Sequence, residues 1–141
     1  MTQLVRTTTT LTYAGAQRAI AAASAHAEGI GVPVNIAVAD TAGNLIAFAR
    51  MDGAALMSGP IAQDKAYTVA AFNGLPTHGW LDVLGTDEAL KHGIVHRDRL
   101  VIFAGGVPVH IDNELVGAIG VSGGSAEQDR EIAVAGAEAL A

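Results

Sequence analysis

The segment Gly120–Gly124 has the most chemically suggestive spacing in the sequence, because it matches the G-x-S-x-G pattern of hydrolase nucleophiles. In those enzymes the acid and the histidine follow the serine, whereas the last histidine here is His110, so a serine hydrolase is disfavoured. The glycines instead suit a sharp turn from a strand into a helix. The amides of such a turn can also bind an anion, which makes Ser122, Gly123 and Gly124 candidate contacts for a carboxylate.

The histidines offer ligand or proton chemistry at a few positions. His92 and His96 have the i, i+4 spacing of a helical ligand pair, but the segment lacks the glutamate of a zinc protease, and two ligands are too few for a tight site. We therefore predict no metal site there. His26 stands near the end of the first predicted helix, where it is either a ligand or a charge that compensates the helix dipole. His110 lies in a predicted strand and faces either solvent or a pocket.

Few basic residues are available to contact an anion, since the chain has 8 Lys and Arg in total. Arg50 ends a predicted strand and is followed by Met51, at a position where side chains can bracket a cleft. Lys65 lies in a predicted helix beside Asp64, where it either faces solvent or contacts an anion. A desolvated Lys65 could also form a Schiff base. The candidates for proton transfer are Lys65, His110, Glu127 and Asp129.

The composition excludes several classes of protein. The formal net charge is −6 and no run of Lys or Arg occurs, so the chain lacks the basic surface that binds nucleic acid. Without Cys, a disulfide framework, a zinc finger and a thiol nucleophile are excluded. The N-terminal segment has no continuous apolar stretch, so we expect neither a signal peptide nor a membrane span, and a cytoplasmic location. With 50% hydrophobic and 16% charged residues, the chain is expected to form a homo-oligomer.

The elements that position these residues follow from spacing and turn chemistry. An Ala-rich helix follows Thr12 and stops near Gly29, a second helix is capped by Ser58, and a last helix is capped by Ser125. One or two short helical pieces are expected within residues 77–92. Five strands are predicted, at Val34–Asp40, Leu45–Arg50, Leu100–Phe103, Val107–Ile111 and Leu115–Val121. Tight turns make the sheet mainly antiparallel, so residues 1–141 are predicted to form one α+β layered domain.

The first predicted strand has two different faces. Ile36 and Val38 alternate with Ala37 and Ala39, which gives one bulky face and one small face. The small face suits a closely packed helix or a neighbouring subunit.

Three ordered blocks carry a family resemblance: VNIAVADTAGNLIAFARMDGA, IAQDKAYTVAAF and GGVPVHIDNELVGAIGVSGGSAEQDREIA. They resemble the GlcG/HbpS family, the haem-degrading domain family that also supplies the C-terminal domain of PduO-type proteins. The resemblance covers nearly the whole chain. It implies a profilin-like fold, with a five-stranded antiparallel sheet flanked by helices, and assembly into tetramers or octamers. Some relatives bind haem or iron and are linked to haem degradation, whereas others accompany pathways of small organic acids or diols.

Three functions stay open at this point, and one of them is a structural partner that assembles with pathway enzymes. The resemblance favours another, a haem-binding and haem-degrading protein. Haem requires an axial ligand and cations for its propionates. The axial candidates are His26, His110, Met51 and Met57, and the cationic candidates are Arg50 and Lys65. Because only 4% of the residues are aromatic, a haem pocket needs walls from a second subunit.

The second function is a cofactor-independent enzyme or binding protein for a small organic acid or carbonyl metabolite. Arg50 or the Gly123–Gly124 turn would hold the carboxylate of such a ligand, and the four proton-transfer candidates would act on it.

Overall fold

The structure is a computed structural model that describes residues 2–141. Within that range it contains five α-helices and four β-strands. The helices are α1 (Tyr13–Ile30), α2 (Ser58–Ala71), α3 (Trp80–Leu84), α4 (Glu88–Ile94) and α5 (Ala126–Glu138), and a 3-10 turn at Thr77–Gly79 precedes α3. The strands are β1 (Asn35–Asp40), β2 (Leu45–Arg50), β3 (Gly106–Ile111) and β4 (Glu114–Ser122).

The four strands form one antiparallel sheet in the order β2-β1-β4-β3. The α+β layered architecture is therefore confirmed, but the prediction of five strands was wrong. Residues 100–103 have strand-like composition, yet they are tied to helix α2 instead of the sheet. The Val101 amide donates to the Thr68 hydroxyl at 3.0 Å, and that hydroxyl donates to the Arg99 carbonyl at 2.9 Å. Arg99 has a positive φ of 64°, which turns the chain away from an extended path just before this segment.

The two faces of β1 pack against different helix layers. Ile36 and Val38 lie in the main core with the alanine stripe of α1 and with Ile132 of α5. The alanines of the opposite face, Ala37 and Ala39, pack against Ala62 and Ala66 of α2. The small face of this strand is therefore covered by a helix of the same chain.

Helix α2 approaches the sheet so closely that β4 requires a glycine beneath it. A Cβ atom built on Gly120 would overlap the carbonyl oxygen of Ala62 and would lie 2.6 Å from the Ala66 amide nitrogen. The approach brings the backbone of α2, and with it Lys65, directly onto the sheet.

The helix ends confirm two of the three predicted caps. Thr12 accepts a hydrogen bond from the Gly15 amide, and Ser125 forms a capping box with Gln128 at the start of α5. Ser58, in contrast, is the first residue of α2 and not its cap, and Met57 before it supplies no side-chain acceptor. Within residues 2–141, no helix is both long and apolar enough to cross a membrane.

Candidate functional site

In the Gly-rich turn after β4, a backbone amide binds the side chain of Asp129 in α5. Gly123 has a φ of 143°, which lets the chain turn into α5, and the Gly124 amide donates to Asp129 Oδ1 at 2.8 Å. The Ser125 amide donates in turn to Gln128 Oε1 at 3.0 Å. The Gly124 amide, which was expected to contact an external carboxylate, therefore already binds a side chain of α5.

Asp129 also binds Lys65, which reaches it from the other side of the sheet. Lys65 Nζ lies 3.2 Å from Asp129 Oδ2 and donates to the Val121 carbonyl at 2.8 Å. The side chains of Lys65 and Asp129 are only 1% and 5% exposed, so Lys65 does not face solvent. The structure thus brings together Lys65, Asp129, Gly124 and the end of β4, a grouping that residue spacing alone did not predict.

Burial shifts the pKa of each member of this ion pair in the direction that favours its neutral form. Desolvation lowers the pKa of Lys65 below 10.5, against the opposing charge of Asp129. Desolvation likewise raises the pKa of Asp129 above 3.8, although the Lys65 charge and the Gly124 amide favour the carboxylate. Burial therefore opposes the charges of both residues, whereas the contact between them stabilises these charges.

Phe103 and Gly105 surround the Lys65 ammonium. The Phe103 ring centroid lies 5.1 Å from Lys65 Nζ, and the ring itself is half exposed. A Cβ atom on Gly105, whose φ is 127°, would come within 2.5 Å of the same nitrogen. The path of the lysine side chain thus depends on a glycine at position 105.

A second group of polar residues lines a surface groove between α1 and α5. The groove has a volume of about 530 Å³, and His26 of α1 and Glu131 of α5 lie in it. His26 Nε2 is 2.8 Å from Glu131 Oε2, and the histidine side chain is 37% exposed. Arg130, Val134 and three further residues of α5, Glu127, Gln128 and Glu138, complete much of the wall. Of the predicted site residues, His26 and Glu127 therefore share this groove.

The remaining candidate ligands are dispersed over the molecule. Arg50 is exposed on β2 and His110 is exposed on β3, and these strands form opposite edges of the sheet. Met51 is half-buried and packs against the main core, whereas Met57 is 79% exposed. Ser122 is buried, where β4 pairs with Asn35. These residues do not form one site within a single chain.

Two residues with ligand potential were missed by sequence analysis. Arg130 places a cation in the His26 groove. His78 is half-buried, and its Nδ1 is buried without a hydrogen-bond partner in the described part of the chain. Burial and the nearby Arg130 lower the pKa of His78 and favour the neutral ring, whereas the charge of Glu127 acts in the opposite direction. No motif marks either position, because both depend on how α5 packs.

The arrangement excludes one kind of metal site within residues 2–141, where no three His, Asp or Glu side chains come together to hold a metal ion. A haem needs only one or two axial ligands from the protein, so a single histidine in a groove is compatible with it.

Fold and site together define an α+β domain with one antiparallel sheet between helix layers and a histidine groove on its α1–α5 surface. A family model described as "Haem degrading protein HbpS-like" matches residues 11–138. The chain belongs to this family, which confirms the resemblance to GlcG/HbpS proteins.

Two relatives are similar over most of their length. A 15.0 kDa protein from the dhaT-dhaS intergenic region of Citrobacter freundii is 40% identical over 126 residues, which cover 88% of this chain and 87% of that protein. Protein GlcG of Escherichia coli K12 is 36% identical over 121 residues, covering 84% of this chain and 85% of GlcG.

Two solved structures are similar across nearly the whole fold. The Klebsiella pneumoniae protein ORFY has a TM-score of 0.89 at 32% identity, covering 99% of this chain and 97% of ORFY. A complex of PduOC with haem has a TM-score of 0.80 at 31% identity, covering 93% of this chain and 95% of PduOC.

Proposed function

We propose that this protein binds haem in the α1–α5 groove, with His26 as an axial ligand. Membership of the HbpS-like family and the similarity to the haem complex of PduOC support haem as the ligand. The observation that carries the location is the His26–Glu131 pair inside the groove.

Several residues of the groove suit the binding of haem. Histidine ligands of metals commonly hydrogen-bond to a carboxylate through their second ring nitrogen, which fixes the ring orientation. Glu131 contacts Nε2 of His26 at 2.8 Å and would orient the His26 ring that holds the haem. The groove volume of about 530 Å³ lies within the ordinary range for small-molecule sites, about 300–1,000 Å³. Arg130 supplies a cation for a propionate, and Val134 supplies apolar surface.

One chain supplies only part of the site. Glu127, Glu131 and Glu138 line the same groove and repel propionates, and the groove is open to solvent. A second copy of the chain therefore provides the missing wall in this proposal. Large apolar side chains that are more than half exposed elsewhere on the surface, Leu56, Met57, Leu81 and Val83, also favour a homo-oligomer.

Bound haem would supply redox chemistry at its iron, and the protein would degrade the bound haem with oxygen and a reductant. His26 would hold the haem, and Glu131 would keep the proton of the His26 ring on Nε2. Loss of the haem absorption band together with release of iron, in the presence of oxygen and a reductant, is the readout for degradation.

The alternative, a site for a small organic acid at the Gly123–Gly124 turn, receives less support. The Gly124 amide that would hold the acid is bound to Asp129 at 2.8 Å, and Lys65 beneath it is buried. Displacement of Asp129 would leave the Lys65 ammonium without its counter-ion.

Titration of the purified protein with haem tests the proposal. We expect a saturable shift of the Soret band in the wild type and a loss of at least about tenfold in affinity for His26→Ala, because an axial ligand is removed. His96→Ala is the matched control, since His96 is an exposed histidine that does not line the groove. Equal affinities of His26→Ala and the wild type would exclude His26 as the ligand.

A further inference from the structure

We propose that β2 pairs with β2 of a second copy of this chain, so that two four-stranded sheets join into one continuous antiparallel sheet. The interface lies at the edge of the sheet that is opposite to β3. It shares no residue with the lining of the α1–α5 groove, so the proposal does not depend on haem binding.

The backbone of β2 has free hydrogen-bonding groups along its outer side. The Met51 amide, directly after β2, donates to the Val34 carbonyl, directly before β1, at 3.1 Å. Successive residues of an antiparallel strand direct their N–H and C=O groups alternately toward the partner strand and away from it. The groups of Phe48 and Arg50 therefore point away from β1, which is the only neighbour of β2 in the sheet. Among residues 2–141 they have no backbone partner, and such a row of groups is a template for another strand.

The opposite edge of the sheet is protected. The Gly105 carbonyl accepts from the Val121 amide of β4 at 2.8 Å, so the outward groups of β3 begin at Gly106. Thr77 occupies both of these groups, because the Gly106 amide donates to Thr77 Oγ1 at 2.9 Å and the Thr77 hydroxyl donates to the Gly106 carbonyl at 3.4 Å. The next outward position is Pro108, which has no N–H. The open edge of the sheet is therefore β2.

The side chains of β2 also suit a contact with another strand. The strand reads LIAFAR, so its one charge stands at the end, and it contains neither Lys nor Pro, the residues that commonly protect an edge. Leu45 is 48% exposed and Phe48 is 38% exposed. Helix α2 covers Ala37 and Ala39 of the neighbouring β1 and leaves these two side chains partly uncovered. A partner strand would cover them.

Further apolar surface continues from the Arg50 end of β2. Asn35, which pairs with Arg50 across the hairpin, donates from Nδ2 to the Ala55 carbonyl at 2.9 Å. This bond holds the segment after β2 beside the edge. Leu56 and Met57 follow Ala55, and both side chains are largely exposed. The apolar contact surface therefore extends beyond the strand itself.

The charges of the hairpin favour a second copy of β2 in the antiparallel direction. Arg50 stands at one end of the hairpin and Asp40 at the other, and neither forms an ion pair with the described residues. Antiparallel pairing directs each Arg50 toward the Asp40 end of the partner, whereas parallel pairing would place two arginines side by side. Asp52 lies in the turn after β2, outside the residues that pair.

Symmetry also favours a second copy over an unrelated strand. A contact of one edge with itself about a two-fold axis is self-complementary and closed, so it ends at two copies. The outer edges of the joined sheet are then the two β3 strands, which Thr77 and Pro108 protect. The joined sheet therefore has no open edge that could recruit a third copy.

The molar mass of the full chain in solution tests the interface. By sedimentation equilibrium, we expect the wild type to have at least twice the mass of one chain. Phe48→Lys should halve the wild-type mass, because it places like charges opposite each other at the open edge. Leu81→Lys, at an exposed position of α3, is the matched control and should keep the wild-type mass. Leu45→Lys is the second variant for the same loss, and far-UV circular dichroism checks that each variant is folded.

The absence of cysteine from the chain allows a direct test of strand pairing. In each antiparallel register centred on residues 47–49, Ala47 or Ala49 lies opposite Ala47 or Ala49 of the partner. An equimolar mixture of Ala47→Cys and Ala49→Cys, refolded together and oxidised, should therefore form disulfide-linked dimers. His110→Cys, at an exposed position of the protected strand β3, is the matched control and should stay uncross-linked.

Three results would overturn the proposal. The first is a wild type with the mass of a single chain, which would leave the β2 edge to a strand of another protein. The second is an unchanged mass of folded Phe48→Lys and Leu45→Lys, which would place the contact between copies elsewhere. The third is a β2 mixture that cross-links no more than His110→Cys, because copies paired along β2 bring these positions together.

Discussion

The Lys65 ammonium lies 3.2 Å from the Asp129 carboxylate, although the two residues belong to helices that cover opposite faces of the sheet. The Lys65 side chain passes close to Gly105 on its way to Asp129. It also donates to the carbonyl of Val121, near the end of β4. One buried ion pair therefore joins α2, the sheet and α5. Since Asp129 also accepts from the Gly124 amide, the same carboxylate closes the turn that leads into α5.

Asp129→Asn is expected to destabilise the fold by about 1–3 kcal/mol, because an amide has one acceptor oxygen where the carboxylate has two, so either the Lys65 ammonium or the Gly124 amide is left without a partner. Urea denaturation followed by far-UV circular dichroism gives the free energy of unfolding. Asp64→Asn is the control, since it breaks the partly exposed pair with Arg99 and should cost about 0–1 kcal/mol.

The double variant Lys65→Met with Asp129→Asn separates the ion pair from other effects of each substitution. We expect the double variant to be more stable than the sum of the two single losses implies, because the unpaired ammonium is removed with its partner. Strict additivity of the two losses would contradict a direct interaction between Lys65 and Asp129.

The raised pKa of Asp129 predicts that the stability of the fold depends on pH. Burial raises the pKa of Asp129 above its ordinary value of 3.8, so the folded state keeps this proton to higher pH than the unfolded state. The folded state then binds more protons in that interval, and stability falls as the pH rises through the folded-state pKa. The stability of the wild type relative to Asp129→Asn is therefore greatest below pH 3.8.

Urea denaturation of both proteins over a series of pH values from below 3.8 upward measures this difference. The other carboxylates contribute equally to the two proteins and cancel in the comparison. A stability difference that increases with pH across the interval would show that the pKa of Asp129 is lowered by Lys65 more than burial raises it.

Local sequence signals predicted most of the fold. The alternation of Ile36 and Val38 with Ala37 and Ala39 indicated a small face for a closely packed helix or a neighbouring subunit, and α2 occupies it. The strand predicted at residues 100–103 was wrong, because an apolar segment resembles a strand in sequence whether or not a sheet edge is free to pair with it. The hydrogen bonds of Thr68, which lies 33 residues before Val101, decided their position, and no local pattern reports such a contact.

The candidate site was less predictable because its members are far apart in sequence. Lys65 and Asp129 are separated by 64 residues, and their contact requires both α2 and α5 to be in place. The pattern that was visible, the glycines after β4, marked the turn but not the side chain that fills it. His26 was identified by residue type alone, whereas Arg130 beside it became visible only through the packing of α1 on α5.

The close approach of α2 to β4 predicts a strong effect at Gly120. In Gly120→Ala the new methyl group would overlap the Ala62 carbonyl, so the helix must shift, at a cost of about 1–3 kcal/mol or more. Thermal denaturation should show a clearly lowered Tm. Gly93→Ala in α4 is the control, because a Cβ there meets no atom within 4 Å, and the change should leave Tm equal or higher. A Gly120→Ala protein as stable as the wild type would show that α2 can move without loss of packing.

The contact between Glu131 and His26 predicts that Glu131 and Glu138 differ in their effect on haem affinity, although both line the same groove. Glu131→Gln weakens the hydrogen bond at His26 Nε2 that orients the ring, so haem affinity should fall about 10- to 100-fold, as for other residues that orient a metal ligand. Glu138→Gln removes the same charge from the same groove without a contact to His26, and it should leave the affinity unchanged or raise it, because repulsion of the propionates decreases. Soret titrations of both variants measure the two effects. If the variants lose affinity equally, or if both gain it, then the charge of the groove and not the orientation of His26 determines haem binding.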